Sequence, residues 1–110
     1  MFKESSFVKL RIVVPVSQAN EIRQVLGAAG AGVQGHYDFC SFSFPVTGQF
    51  RPNEGAKPAL GTIGKIETVA EEVIEVICER TLVASVVAAV RRAHPYEEPA
   101  IDIIPRLEIE

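Results

Sequence analysis

The chain has 110 residues, of which 47% are hydrophobic, and this size and composition predict one domain with its own core and exclude a disordered protein. Its net charge of −3, with both signs mixed along the sequence, excludes the strongly basic surface that nucleic-acid binding requires. No stretch approaches the roughly 18 consecutive apolar residues of a membrane-spanning helix, and the N-terminus lacks the features of a signal peptide. We therefore expect a cytoplasmic protein without membrane contact, in which Cys40 and Cys78 remain reduced.

The N-terminal part of the chain predicts a strand followed by a helix. Residues 7–16 alternate between apolar and polar, which is typical of a half-buried strand. The apolar face of this strand consists of Val8, Leu10, Ile12, Val14 and Val16. Ser17 is the expected N-cap of an amphipathic helix over 18–29. The apolar stripe of that helix consists of Ile22, Val25, Leu26 and Ala29.

Residues 36–44 predict a second strand, which is rich in aromatic side chains. One of its faces carries Tyr37 and Phe39. The other face carries His36, Asp38, Cys40, Phe42 and Phe44. Alternation alone does not decide which of the two faces is buried. A short strand over 47–51 and a long loop to residue 64 are expected next, and a loop of this length in a compact domain indicates a function.

The C-terminal part of the chain predicts two strand segments, a helix and a last strand. The strand segments are expected over 65–69 and 72–79. Thr81 is the expected N-cap of a second helix over 82–93. The apolar stripe of this helix consists of Leu82, Val86, Ala89, Val90 and Ala93. The last strand is expected from residue 100 to residue 109.

An internal repeat determines the predicted fold. When the first half is shifted by 64 positions, residues 14–17 overlie 78–81 and the helix over 18–29 overlies the helix over 82–93. The halves 8–44 and 72–108 are then each strand–helix–strand. Two such halves predict a single α+β domain over 1–110, a ferredoxin-like βαββαβ sandwich with two helices on one face of an antiparallel sheet.

The repeat also predicts which strand faces are buried. The shift places Tyr37 and Phe39 over Ile101 and Ile103, and all four are expected to face the helices. The open face of the sheet is then expected to carry His36, Asp38, Cys40, Phe42 and Phe44 together with Lys9, Arg11, Glu75 and Asp102. A face that mixes such charges with aromatic rings suits an interface better than water, so we expect a homo-oligomer, either a dimer or a trimer.

Two segments hold polar side chains more rigidly than folding alone requires. Prolines stiffen the segment after the second helix. It presents His94, Tyr96, Glu97 and Glu98. The loop flanked by proline and glycine presents Phe50, Arg51 and Glu54. We expect these residues to bind an unknown small molecule or protein, or to form a contact between subunits. Arg51 suits a phosphate or a carboxylate, with a solvated loop arginine as the equal alternative.

Six spaced motifs resemble one known family. They are Gly35-His36-Tyr37, Cys40-Ser41-Phe42, Thr47-Gly48-Gln49-Phe50-Arg51-Pro52, Glu54-Gly55-Ala56, Gly64-Lys65 and Ala93-His94-Pro95-Tyr96-Glu97-Glu98-Pro99-Ala100. From Val8 to Leu107 the sequence resembles a standalone version of the PII-like, CutA-like domain that is inserted in Nif-three-like (YqfO-type) proteins. The resemblance implies a PII-like fold and a tendency to assemble. It does not imply hydrolase-like chemistry, because the family's paired metal ions are held by flanking halves that this sequence lacks.

A metal site is the sharpest chemical alternative. His36, Asp38 and Cys40 share one face of the predicted strand, and imidazole, carboxylate and thiolate suit zinc or copper. His94 with Glu97 or Glu98 would form a second half-site. The two predicted strands lie at opposite edges of the sheet, roughly 14 Å apart, so a joint site would need a second subunit. The alternative for His94 is a helix C-cap that is hydrogen-bonded to the terminal carbonyls.

The sequence favours binding over catalysis. It contains no nucleophile with an adjacent base and no phosphate-cradling loop, and Glu97 and Glu98 would point in opposite directions from an extended segment. We assign no catalytic residue and no cofactor, with a divalent metal left open. We expect a non-enzymatic, oligomeric binding or regulatory module, and the alternative is a CutA-like divalent metal-binding protein.

Overall fold

A computed structural model describes all 110 residues as four strands and two helices. The strands are β1 (Phe2–Pro15), β2 (Phe42–Phe50), β3 (Glu67–Glu79) and β4 (Ile101–Ile109). The helices are α1 (Ala19–Ala28) and α2 (Val83–Ala93). Each helix follows a short 3-10 turn, at Val16–Gln18 and at Arg80–Leu82. Neither helix has the length and apolar character that crossing a membrane requires.

The strands form one antiparallel sheet in the order β2-β3-β1-β4. The two longest strands, β1 and β3, lie in the centre, and β2 and β4 form the edges. The helices pack side by side on one face of this sheet. This is the ferredoxin-like βαββαβ arrangement, so the predicted fold class is confirmed.

The core lies between the helices and one face of the central strands. On β1 and β3 it consists of Val8, Leu10, Ile12, Val14, Ile74, Val76 and Cys78. The helices contribute Ile22, Leu26, Val86 and Val90 from their predicted apolar stripes. Each of the larger aliphatic side chains stabilises the fold by about 1.5–3 kcal/mol when it is fully buried.

The repeat offset of 64 residues holds through the central strands and the helices. Pro15 and Glu79 end β1 and β3, and Ala19 and Val83 begin α1 and α2. The offset fails at the edge strands. The start of β4 at Ile101 would place the start of β2 at residue 37, whereas β2 begins five residues later.

The predicted strand over 36–44 is therefore wrong over its first six residues, 36–41. Residues 30–41 form a loop in which Gln34 and Tyr37 exchange two backbone hydrogen bonds, of 2.8 and 3.0 Å. Phe39 has a φ of 55°, in the left-handed region that a strand residue does not adopt. The glycines of this loop have no counterparts in the second half of the chain, which is why the repeat misplaced the strand.

The loop is tied to the rest of the fold by its backbone and by one ring. The Gly32 N–H donates to the Ile77 carbonyl at 2.8 Å. Tyr37 is 76% exposed, so its predicted position against the helices is wrong. The Phe39 ring lies against α1, where Gly27 leaves room that any side chain would fill. Phe39 thus reaches the helices from a loop and not from a strand.

The predicted element boundaries need further corrections. Ser17 and Thr81 are not N-caps, because both lie in the 3-10 turns, and the Ser17 hydroxyl donates to the Gln18 side chain instead. Val16 is also in a turn and is 50% exposed. Of the separate strand segments expected over 47–51 and 65–69, residues 47–50 belong to β2 and residues 67–69 to β3, whereas 51, 65 and 66 lie outside the strands. The edge strand β4 leaves Ile103 exposed, although it lies opposite the buried Leu10.

The second face of the sheet carries no helix, and we refer to it as the open face. The register places Phe42, Phe44, Lys9 and Arg11 on this face together with Glu75, as predicted. Arg11 Nε donates to Glu75 Oε2 at 2.8 Å, and Lys9 Nζ lies 3.5 Å from Oε1. The hydrogen bond from Arg11 is the main reason why the pKa of Glu75 is lowered.

Candidate functional site

The candidate site is a pocket at one end of the sheet, where β1 and β2 end and β3 and β4 begin. Two segments enclose it, the loop 51–66 after β2 and the turn 94–100 after α2. The pocket has a volume of about 500 Å³, which lies within the range of small-molecule sites. It is lined by Val13, Gly48, Gln49, Phe50, Arg51, Pro52, Asn53, Glu54, Ala56, Pro58, Ala59, Leu60, Glu71, Tyr96, Glu97, Glu98 and Ala100.

The structure brings the two predicted binding segments together in this pocket. Six of the seven residues predicted to bind a ligand or a subunit line it: Phe50, Arg51, Glu54, Tyr96, Glu97 and Glu98. The seventh, His94, lies behind the wall that Tyr96 forms. The sequence indicated the two segments separately and did not predict that they meet.

His94 connects the turn to the sheet. Its residue exposure is 6%, and its backbone N–H donates to the Val90 carbonyl at the end of α2. Its Nδ1 accepts the Tyr96 N–H at 3.1 Å, and its Nε2 lies 2.7 Å from the Val13 carbonyl oxygen. Because a carbonyl oxygen only accepts, the imidazole proton is on Nε2, and both nitrogens are used. His94 is thus the C-cap of α2, as the alternative predicted, and its backbone N–H makes the bond to a terminal helix carbonyl while its ring bonds to β1 and the turn.

Tyr96 lies between the turn, the loop and the sheet. Its ring centroid lies 5.0 Å from that of His94 and 6.1 Å from that of Phe50. Its hydroxyl donates to Glu71 Oε2 at 2.9 Å. Burial, and then the hydrogen bond to the Glu71 carboxylate, raise the pKa of the Tyr96 hydroxyl. The hydroxyl therefore remains a neutral hydrogen-bond donor at physiological pH.

Glu71 is the site residue that sequence reasoning missed. It lies on β3, faces the open side of the sheet opposite Val46, and is 6% exposed. Gly48 makes room for it, since a Cβ at position 48 would collide with Glu71 Oε1. A glycine inside a strand is typical of a close approach by another group, so Gly48 is the sequence feature that could have indicated a buried neighbour.

The loop 51–66 is held in place by hydrogen bonds. The Gly64 N–H donates to the Pro52 carbonyl at 2.7 Å and closes the loop. The Lys57 N–H donates to Glu97 Oε1 at 3.1 Å and joins the loop to the turn. Glu97 and Glu98 both line the pocket, because the segment is a turn and not the extended chain that would separate them. Arg51 is exposed and forms neither an ion pair nor a side-chain hydrogen bond.

The predicted metal ligands do not come together within the chain. His36 and Asp38 are exposed in the loop 30–41, and the Cys40 thiol forms its hydrogen bond with the Asp38 carbonyl oxygen, at 3.7 Å. No three His, Cys, Asp or Glu side chains are close enough to hold a metal ion. The prediction that His36, Asp38 and Cys40 share one strand face is wrong, because these residues lie in a loop. Both ring nitrogens of His94 already form hydrogen bonds within the protein. A metal site between subunits remains a prediction.

Comparisons with curated proteins show clear relatives, although no family model matches the chain. The chain is 48% identical over 92 residues to a "GTP cyclohydrolase 1 type 2 homolog" of Mycobacterium bovis, which covers 84% of this chain and 24% of that protein. A protein of the same name from Halalkalibacterium halodurans is 44% identical over 100 residues, covering 91% of this chain and 27% of its own length. The chain thus spans about a quarter of the length of the curated relatives it matches.

Solved structures give the same two groups of neighbours. A Bacillus cereus protein related to NIF3 superposes with a TM-score of 0.79 at 42% identity, over 96% of this chain and 26% of that one. The periplasmic divalent cation tolerance protein CutA of Archaeoglobus fulgidus superposes with a TM-score of 0.66 at 24% identity, over 91% of this chain and 83% of that one. At this identity the second likeness shows a shared fold.

Proposed function

Because the chain is homologous to the CutA-like domain inserted in NIF3-related proteins, we propose that it is a non-enzymatic, oligomeric binding or regulatory module. Its ligand occupies the pocket between the loop 51–66 and the turn 94–100. The observation that carries the proposal is that these two segments, which are distant in sequence, close over one pocket. The core beneath is complete without them.

The composition of the pocket supports the binding of a small ligand. Apolar side chains such as Val13, Phe50 and Pro52 form part of its lining, and a few charged side chains surround them. This combination is typical of sites that bury a small molecule and orient it by polar contacts. Hydrogen bonds already hold Glu97 and Tyr96 in place. The entropy cost of ordering these side chains on ligand binding is therefore small, which favours affinity. A cytoplasmic location is part of the proposal and agrees with two free thiols.

Thermal-shift measurements with a panel of small metabolites test the proposal. A ligand that binds only the folded protein stabilises it by an amount that grows logarithmically with the ratio of ligand concentration to Kd, so the Tm rises with that ratio. We expect at least one compound to raise the Tm of the wild type and to have a clearly smaller effect on Arg51→Ala and on the double variant Glu97→Ala/Glu98→Ala. Without ligand, these variants should differ from the wild type by no more than about 0.5 kcal/mol.

Arg91→Ala is the matched control for Arg51→Ala. Arg91 is an exposed arginine on α2, away from the pocket, so the control removes the same charge from the other side of the molecule. Equal ligand shifts in Arg51→Ala and Arg91→Ala would place the ligand elsewhere. If the Glu97/Glu98 variant loses much stability while its assembly is unchanged, the turn is scaffold and the proposed site is wrong.

The metal-binding alternative has its own test. No metal-holding cluster lies within one chain, so a CutA-like metal function would require ligands from more than one subunit. Metal content measured on oligomeric protein purified without a histidine tag decides between the two functions. Stoichiometric zinc or copper that is lost in Cys40→Ser would favour the alternative.

A further inference from the structure

We propose that the pocket takes an organic cation, a ligand with an ammonium, amidinium or guanidinium group on an apolar body, and that Glu71 binds the charged group. This inference rests on the proposed function, since it names the ligand class of the same pocket. It follows from three observations: the Glu71 carboxylate is buried without a positive partner, more acidic than basic side chains line the pocket, and the rest of the lining is largely apolar.

The Glu71 carboxylate is buried without a positive partner. The residue is 6% exposed, and no lysine, arginine or histidine forms an ion pair with it. Its only hydrogen bond is the one that Oε2 accepts from the neutral hydroxyl of Tyr96. Proteins normally pair a buried carboxylate with a cation or with several donors, because removal from water disfavours the charge. The missing partner is therefore the first indication of a ligand.

The second carboxylate oxygen of Glu71, Oε1, has no hydrogen-bond partner within the protein. Because no buried side-chain oxygen in the protein lacks a hydrogen-bond partner, Oε1 must keep some exposure to solvent. Since Glu71 lines the pocket, Oε1 is accessible from it. Oε1 occupies the space that a side chain at position 48 would fill, and it lies against the Gly48 backbone, which also lines the pocket. A donor on a bound ligand can thus reach Oε1 while Tyr96 continues to hold Oε2.

The charges around the pocket favour a cation. Glu54, Glu71, Glu97 and Glu98 line it, and Arg51 is the only basic residue among the lining side chains. Arg51 is exposed, whereas the most buried of the charged side chains is a glutamate. Because Coulomb interactions are strongest where water is excluded, the attraction for a cation is greatest at the inner end, beside Glu71.

The lining selects an organic cation over a bare metal ion. A metal ion needs several oxygen, nitrogen or sulfur ligands that converge on one point, and the chain contains no such group of three. Val13, Phe50 and Pro52 instead offer apolar surface beside the carboxylate. An aromatic or aliphatic group attached to the cation would cover this surface. The volume of about 500 Å³ is far larger than a single ion requires.

Three probes of the same shape and different charge test the inference: benzamidine, benzamide and benzoate. Their binding is followed by NMR chemical-shift changes of the backbone amides of Gly48, Phe50 and Tyr96 in the labelled protein. We expect benzamidine to bind at least about tenfold more tightly than benzamide, because a hydrogen-bonded charge pair in a partly buried site strengthens binding by about this factor. Benzoate should bind most weakly.

Two variants attribute the preference to Glu71. Glu71→Gln keeps an acceptor for Tyr96 but removes the charge, and we expect benzamidine and benzamide to bind it equally. Gly48→Ala keeps the charge but fills the space that Oε1 occupies, and it should reduce the preference as well. Glu79→Gln is the control: Glu79 is an exposed residue on the same strand and face, so it changes the net charge equally and should preserve the preference.

The outcomes separate this inference from the proposed function. If benzamide or benzoate binds in the pocket as tightly as benzamidine, the pocket is a binding site and the inference about cations is wrong. The same conclusion follows if Glu79→Gln abolishes the preference as fully as Glu71→Gln. If none of the three probes moves the pocket amides and no metabolite raises the Tm, the proposed function fails as well.

Discussion

A continuous chain of hydrogen bonds joins the sheet, the turn and the pocket. It runs from the Val13 carbonyl through the His94 ring to the Tyr96 backbone, and from the Tyr96 hydroxyl to Glu71. Each polar group in this chain is at least partly buried, so each depends on its partner for the hydrogen bond that water would otherwise supply. The conformation of the turn, and hence one wall of the pocket, is set by single side chains.

The first prediction concerns His94. His94→Phe keeps a ring in the space but leaves the Val13 carbonyl and the Tyr96 N–H without partners, and it should lower the free energy of unfolding by about 2 kcal/mol or more. The control is His36→Phe at the only other histidine, which is exposed and should change stability by less than about 0.5 kcal/mol. Urea unfolding measures both. Equal stability of the two variants would show that the His94 bonds contribute nothing.

The second prediction concerns the pH dependence that Tyr96 causes. Its pKa is raised in the folded state above the ordinary value of about 10, so the folded protein keeps a proton that the unfolded chain loses. The stability from this group is complete below about pH 10 and falls as the pH rises further. Tyr96→Phe should therefore be less stable than the wild type by about 1 kcal/mol at pH 7, with a smaller difference above pH 10. Unfolding curves against pH measure this difference.

Tyr37→Phe is the control for the pH prediction. Tyr37 is 76% exposed and is the only other tyrosine, so this variant should follow the wild type at every pH. If the difference between wild type and Tyr96→Phe does not change above pH 10, the hydroxyl is not held by Glu71 in solution.

At the scale of elements, the sequence predicted what depends on periodicity. Alternation in β1 and the helical spacing of Ile22, Leu26, Val86 and Val90 identified the buried faces correctly, because burial itself imposes those periods. The boundaries were less accurate. The 3-10 turns before both helices and the left-handed Phe39 are local conformations that leave no periodic pattern, and they displaced the expected caps and the start of β2.

The site was predicted as residues and not as an arrangement. Prolines drew attention to both segments because proline stiffens the chain, and glycines marked the earlier of the two as a loop. The loop 51–66 meets the turn 94–100 because of the order of the strands and because of contacts such as that between Lys57 and Glu97. No local sequence pattern contains this information. Glu71 was missed for the same reason, because its burial results from Tyr96 and Gly48 on other segments.

The third prediction concerns helix α2. Val86 is fully buried between this helix and the sheet, so Val86→Asp would place a carboxylate there without a partner, at a cost of several kcal/mol, about the whole stability of a small domain. We expect no soluble folded protein. Ala84→Asp is the control, on the exposed side of the first turn, where an acidic residue is favourable. A soluble Val86→Asp protein with an unchanged melting curve would contradict the packing of α2.

At the scale of the whole molecule, the two faces of the sheet are unequal. The helices cover the central strands on one face, and the pocket segments cover only one end of the other. Phe42 is 76% exposed and Phe44 is 42% exposed on the uncovered part of the open face. Beside them lies Glu75, whose charge Arg11 and Lys9 neutralise. Covering a surface that has exposed aromatic rings and internally paired charges costs little desolvation free energy, so this surface suits contact with another subunit.

The last prediction is that the protein is a homo-oligomer through this open face. Sedimentation at micromolar concentration should show a dimer or trimer and not a 12.0 kDa species, because association removes the rings of Phe42 and Phe44 from water. Phe42→Asp should shift the distribution to the monomer while the far-UV circular dichroism stays unchanged. Val33→Asp, at an exposed apolar residue in the loop 30–41, is the control and should sediment like the wild type. A wild-type monomer at these concentrations, or dissociation by Val33→Asp but not by Phe42→Asp, would show that the open face is not the interface.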